Sequence, residues 1–406
     1  MSLDIEKPTS FLGVNPTDLV QGIKLHEESV IEKKIHQENR CIAWSPDGSY
    51  VAWSQGGGIV YLLPWDLEKG KLLKGPVRDQ SFDTVESNDE PDLGSLPRLP
   101  TDDRTCNNSD DEFSTFNKNF YNNCSQKNSD EKSMRKCFRI DCMDLVWSMA
   151  FGTGISRSAV NVHRRFTFKS DLILATGLQG GIIKLWNIFS GNLLMELLDH
   201  KKMVHGLSFK CDGTLGLVSC SSDCTIKFWD LNLDGNMYKT LRFKENVLVF
   251  SCKWSPNCKH VAAVGMNKCA YIWNSENFNK ARKLTGHLNN VVSCDFSPDG
   301  AILATASFDS RVILWDPYTG DQIKILGHMF PSPRPIYAGG ANDFYVRCVS
   351  FSREGHQLMT VADDGYVRFW ALDSPGVNPV CVTQSTKLLS GAFSSNSNIG
   401  AVGVFS

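Results

Sequence analysis

Two quartets of side chains in this chain carry groups that could do chemistry. The first is His200, Ser221, Asp223 and Trp229; the second is His287, Ser307, Asp309 and Trp315. The offsets match: each serine stands eight and each aspartate six residues before its tryptophan. Serine, histidine and aspartate together invite a hydrolase, in which imidazole takes the hydroxyl proton and carboxylate orients the imidazole. Two equivalent copies speak against that, because an active site needs one. No phosphate-binding glycine loop or nucleophile elbow accompanies them. Among the 14 cysteines, Cys220 and Cys224, or Cys137 and Cys142, could be imagined as metal pairs. Neither has a second pair at zinc spacing, so reduced, unpaired thiols and no metal or cofactor are expected.

The elements that must position these residues repeat. Residues 286–316 contain a Gly286-His287 start, an alternating run Val291 to Phe296, a Pro298-Asp299-Gly300 turn, and two apolar runs ending at Trp315-Asp316. Alternation of period two marks half-buried strands, and Pro-Asp-Gly is turn chemistry. Trp186, Trp229, Trp273 and Trp315 end comparable runs at spacings of 43, 44 and 42 residues. Trp65 and Trp370 extend the series, the latter after an insertion at Met329 to Asp343. The stretch resembles a WD repeat, the four-stranded blade of a β-propeller.

That reading gives an all-β fold, a WD-repeat β-propeller of seven blades over 41–406. Repeat 1 is expected at 41–65, and an incomplete seventh at 388–406 lacks its third strand and tryptophan. The N-terminal segment, 1–40, either supplies the missing outer strand or leaves that sheet edge open. Residues 70–136 are polar and poor in aromatic or β-branched clusters, so a disordered insertion after repeat 1 is expected, either a bland loop or a docking segment. The basic cluster His163-Arg164-Arg165 reads as a solvated hairpin tip or a contact for an acidic partner.

The resemblance to WD repeats implies a different use for the quartets. In each, the indole N–H donates to the hydroxyl, the hydroxyl pairs with the imidazole, and the imidazole pairs with the carboxylate. Such a chain is buried and structural, and its serine reaches no substrate. Repeats 2, 4 and 6 depart from the pattern at Gly180, Asn267 and Ala362.

Other stretches are more specific. Ala52-Trp53-Ser54-Gln55-Gly56, Val146-Trp147-Ser148 through Gly152, Val361-Ala362-Asp363-Asp364 and, above all, Gly327-His328-Met329-Phe330-Pro331-Ser332-Pro333-Arg334-Pro335-Ile336-Tyr337 through Asp343 are similar to the WD repeat and SOCS box-containing protein family. The resemblance implies a substrate-recognition subunit of an E3 ubiquitin ligase, not an enzyme in itself. The propeller would grip target proteins, and a C-terminal SOCS box would bind elongin B and elongin C and through them a cullin. After Phe393 the chain shows no Leu-Cys-rich helix or Leu-Pro-x-Pro element, so the docking segment is expected to be missing. Truncation, alternative splicing or a faulty gene model would each account for that. A WD-repeat scaffold or decoy that recruits no ligase is the alternative.

The candidate partner-binding residues are Phe330, Arg334 and Tyr337 on the proline-stiffened insertion, with Phe308 and Arg347 on neighbouring turns; these are anchor types at interfaces. Phe330 and Tyr337 could equally hold the loop in place by packing beneath it. A balance of 42 basic and 44 acidic side chains argues against a nucleic-acid reader. No apolar run spans a bilayer and the N-terminus leads into no signal region, which places the protein inside the cell, in cytoplasm or nucleus, away from membranes.

Overall fold

The computed structural model describes residues 2–5, 23–26, 41–66, 71–72, 77–79, 137–154, 172–233, 235–243, 247–328, 345–373, 379–383, 388–394 and 400–404. Each apolar alternation becomes a strand, and each Pro/Asp/Gly cluster becomes the turn that reverses it. In repeat 5 the strands are Val291–Phe296, Leu303–Ser307, Arg311–Trp315 and Gln322–Gly327, hydrogen-bonded in that order. The first turn is closed by the Gly300 N–H donating to the Ser297 carbonyl at 2.8 Å. Gly300 has φ +73° there, a conformation that a side chain disfavours.

Repeats 2 to 6 each form one four-stranded antiparallel sheet, and a sixth such sheet is built from Leu388–Phe393, Gly400–Val404, Ser2–Ile5 and Ile23–His26. The all-β WD propeller stands, but the expected seven blades with an incomplete last one do not: among the described residues the structure has six four-stranded blades. Repeat 1 is the exception. Its strands Ile42–Trp44, Tyr50–Gln55 and Ile59–Asp66 are drawn into a six-stranded sheet with Cys137–Asp141, Val77–Asp79 and Lys71–Leu72. The cause is the long connection after Trp65. It supplies a parallel pairing, Val77–Asp79 beside Cys137–Asp141, that a short hairpin cannot. The last blade is not truncated either, since Ser2 and Leu3 pair with Ala401 and Gly400. Two short strands thus lie inside the stretch 70–136 expected to be disordered; its other residues lie outside those described.

The first strand of each sheet packs against the first strand of the next, around to the Ile42–Trp44 strand between the last blade and repeat 2. These strands surround the axis. Between neighbouring sheets lie separate apolar clusters, such as Val264, Ile272, Val291, Cys294, Ile313 and Trp315 between repeats 4 and 5. Burial between sheets, at about 25 cal/mol per Å² of apolar surface, holds the ring. The result is a rigid support whose connecting loops are free to vary.

Candidate functional site

In an antiparallel four-strand meander, the turns after strands two and four emerge at one end and those after strands one and three at the other. The quartets sit at the first of these ends. His200 Nδ1 bonds Asp223 Oδ2 at 2.8 Å and Nε2 bonds a hydroxyl at 2.7 Å. That hydroxyl is Ser219, not Ser221, and it also accepts the Trp229 indole N–H at 2.8 Å. In repeat 5, His287 bonds Asp309 at 2.9 Å and Thr305 at 2.7 Å, and Trp315 donates to Thr305 at 2.8 Å. The hydroxyl in each network therefore stands ten residues before the tryptophan, on the strand neighbouring it. Ser221 and Ser307 are a correction to the expected quartets. Ser221 Oγ donates to the Lys202 carbonyl and accepts from Asp223 N; Ser307 Oγ does the same with Asn289 and Asp309. They tie the turn to the preceding loop, and both are fully buried.

Burial raises the Asp223 carboxyl, but hydrogen bonds from His200 and Thr225 outweigh it and hold the group below the usual carboxylate range. The same carboxylate accepts the Lys201 N–H at 3.1 Å, and Asp309 accepts the Leu288 N–H at 2.8 Å. Each network thereby fixes a loop entering the next sheet.

The ten-residue offset also explains the deviant repeats. Trp370 still donates to Thr360 at 2.9 Å, so Ala362 leaves the indole bond intact. Trp186 donates to Thr176 at 2.9 Å, and Cys142 stands in for the histidine with its thiol on Thr176 at 3.8 Å. Burial pushes that thiol up to about 12. In repeat 4 the hydroxyl position is Ala263, and Phe243 stacks on Trp273 at 5.5 Å and 9°. Beside this stack, Asn267 donates to the Tyr271 hydroxyl at 2.8 Å. In repeat 6, Arg368 donates to His328 Nδ1 at 3.0 Å. Burial first, and the guanidinium second, keep that imidazole far below its ordinary value.

Of the expected partner-binding residues, Phe330, Arg334 and Tyr337 lie outside the described residues. Phe308 and Arg347 come together. The Arg347 guanidinium holds Asp363 through two bonds of 2.8 Å and lies over the Phe308 ring at 5.1 Å. Tyr345 closes the group, its ring 4.5 Å from that of Phe308. Arg347 is thus pinned in place with a third of its side chain, 36%, still exposed.

A further set was missed in the sequence. The first strands of repeats 2 to 6 and of the last blade all carry a β-bulge at the same end. The residues skipped are Trp147, His205, Phe250, Val292, Arg347 and Leu389. Bulges re-aim a side chain, and here they place six side chains around the channel mouth. Three of them touch in a row: Trp147 to His205 at 5.7 Å and His205 to Phe250 at 5.3 Å. His205 Nε2 bonds Ser222 Oγ at 2.7 Å, and burial lowers the imidazole to about 4. The signal was available: each of these residues directly follows the buried Val or Leu that opens its strand.

At the other end the first strands surround a cavity of about 410 Å³ whose lining mixes apolar residues with Lys253, Asp295, Arg353 and several serines. Lys253 and Asp295 are 3.7 Å apart. The Coulomb field of Asp295 raises the lysine, and burial raises the aspartate against the lysine's pull. Asp295 also accepts the Phe351 N–H at 3.0 Å from the neighbouring blade, so this pair stitches the ring.

A family model for the WD domain, G-beta repeat matches residues 191–230, 235–274, 278–316 and 334–371. The chain is 42% identical over 400 residues to WD repeat and SOCS box-containing protein 1 of Mus musculus, covering 96% of this chain and 86% of the relative. The chain belongs to the WD repeat and SOCS box-containing family. The Homo sapiens relative of that name aligns at the same identity and coverage, and that of Danio rerio is 40% identical over 380 residues, covering 92% of this chain and 81% of the relative. As a family member the chain is a WD propeller suited to binding proteins. Among the described residues, no group of side chains could hold a metal ion and no helix is long and apolar enough to cross a membrane.

Proposed function

We propose that this protein is the substrate-recognition subunit of a SOCS-box-type E3 ubiquitin ligase, holding target proteins on its propeller while elongin B, elongin C and a cullin supply the transfer machinery. The observation that carries this is identity of 42% over 96% of the chain to a protein named for both a WD repeat and a SOCS box. The geometry supports the recognition half. The quartet hydroxyls are buried beneath tryptophans, so the reactive-looking groups are committed to structure. The rim above them exposes pinned aromatic and arginine side chains of the kind that anchor partners. Phe308 and Arg347 belong to the target-binding rim.

The test is capture from cell lysate by the tagged full chain. Because no SOCS-box signature is seen after Phe393, elongin C co-purification is the arm that decides for the ligase, and where it occurs the purified assembly should transfer ubiquitin to a captured protein. An Arg347→Ala chain should keep elongin C and lose the captured protein. If elongin C does not co-purify while partners do, the chain is a WD scaffold or decoy and the ligase reading is lost.

A further inference from the structure

The rim is not uniform. In repeats 2 to 5, loops at the bulge end carry four large apolar side chains in open water: Met143 at 68%, Leu198 at 66%, Leu288 at 53% and Met266 at 51% exposure. They lie on the turns flanking the Trp147–His205–Phe250 row. Four neighbouring blades thus each place one exposed large apolar side chain at the same end of the ring, the end at which the aromatic row sits, and apolar surface of this kind is what a protein partner covers.

The charge on these loops is one-sided. Asp144, Asp223, Asp309 and Asp363 are taken up by the Gly180 N–H, His200, His287 and Arg347. The charged side chains left exposed in the described loops are Lys201, Lys202 and Lys268 against Asp199. Lys201 directly follows His200 of the quartet, whose network fixes its backbone.

We infer that this sector takes a protein segment in which apolar side chains are flanked by acidic ones. The apolar groups cover Leu198, Leu288 and the Phe250 edge of the aromatic row, and the acidic groups meet the lysines. The chemistry is complementary on both counts: desolvation of apolar surface gives affinity, and opposite potential gives orientation and rate. This rests on the receptor reading and specifies where on the propeller a target docks and what it is made of.

The test uses the full chain and three synthetic fluorescent 15-residue peptides. One has a Leu/Trp core flanked by Glu, one has the same core flanked by Lys, and one keeps the Glu flanks with Ser in the core. Fluorescence anisotropy should show the first binding at least tenfold tighter than either of the others. Leu198→Ser combined with Leu288→Ser should weaken it roughly tenfold or more. These side chains are more than half exposed, so the fold is retained, as an unchanged Tm will verify. Lys201→Glu with Lys202→Glu should reverse the preference toward the Lys-flanked peptide. Tyr318→Ala, at the opposite end of the ring, should change nothing. Equal binding of the Glu- and Lys-flanked peptides, undiminished binding by the double Ser variant, or tighter binding of a 20-nucleotide single strand would overturn the inference. Elongin C capture separates the two readings. Capture without peptide binding sinks only this site, whereas peptide binding without capture sinks only the ligase.

Discussion

Thr305→Val separates the network seen in the structure from the one suggested by the spacing of Ser307. Valine keeps the shape of threonine and removes one hydroxyl, so no cavity opens. Two buried groups are orphaned: the Trp315 indole N–H at 2.8 Å and the His287 imidazole at 2.7 Å. Both residues are almost fully buried, at 2% and 6% exposure, so water cannot replace the lost partner. An orphaned buried polar group costs about 1–3 kcal/mol, which gives roughly 2–6 kcal/mol for the pair. Ser307→Ala breaks longer bonds, 3.2 Å to Asn289 and 3.1 Å from Asp309 N, and should cost about 1 kcal/mol. An unfolding entropy near 2.1 cal/mol/K per residue makes 1 kcal/mol equivalent to roughly 1 °C in a chain this long. Calorimetry should therefore show Thr305→Val melting several degrees below wild type and Ser307→Ala about one degree below. The urea midpoints should fall in the same order. If Ser307→Ala were the more damaging, the hydroxyl assignment would be wrong.

Removing residues 1–26 deletes the Ser2–Ile5 strand that pairs with Gly400–Val404, together with the Ile23–His26 strand beyond it, and the shortened chain should show concentration-dependent light scattering from the exposed edge; a monodisperse product would refute the pairing. Phe243→Ala removes the ring stacked on Trp273 and should cost about 3–5 kcal/mol, read as a lowered urea midpoint. Because the Asp223 carboxyl is held below its ordinary value, its contribution is complete above the unfolded value of about 3.9 and is lost as pH falls below it; Asp223→Asn should flatten the stability curve in that range. His205 is depressed to about 4 from an unfolded value near 6.5. The unfolded chain binds the extra proton between those values, so stability falls as pH drops through that window. His328 and His260, whose imidazoles are also lowered by burial, contribute to the same slope, so His205→Gln should reduce it without abolishing it, and a slope of unchanged size would show that the His205 imidazole is not desolvated.

The repeat, the strands and the turn chemistry were legible because period-two alternation recurs along the chain and the tryptophan spacing is regular from Trp186 to Trp315. The first sheet was not. Pairing Val77–Asp79 with Cys137–Asp141 depends on two short segments far apart in the chain, and no local pattern announces a parallel ladder. The hydroxyl was misplaced for a simpler reason. Both repeats have a hydroxyl residue at each of two positions, Ser219 and Ser221, Thr305 and Ser307, and side chains two apart on a strand share a face. Only the cross-strand register, with Leu217 opposite Trp229 and Leu303 opposite Trp315, decides which one the indole reaches. The bulges were hidden likewise, since a bulge is a relation between two strands and not a property of one. Yet Trp147, His205 and Phe250 were all in view as residues that follow a buried valine.

The quartets and the rim are parts of one device. A loop that carries exposed leucine or lysine is a poor binding surface if it must be ordered on contact, because each immobilised side chain and each backbone residue costs entropy. Here the ordering is done in the folded protein. Asp223 holds the Lys201 N–H beside Leu198, and Asp309 holds the Leu288 N–H. Each carboxylate is oriented by a histidine that is itself fixed by a hydroxyl beneath a tryptophan. A partner then meets loops already set. Substituting a quartet residue should for this reason weaken binding beyond its effect on stability. At a temperature where both chains are fully folded, Thr305→Val should bind the Glu-flanked peptide several-fold more weakly than wild type while Ser307→Ala, with the histidine network intact, stays closer to it. Identical affinity for all three chains would show that the networks serve stability alone and that the loops need no anchor to bind.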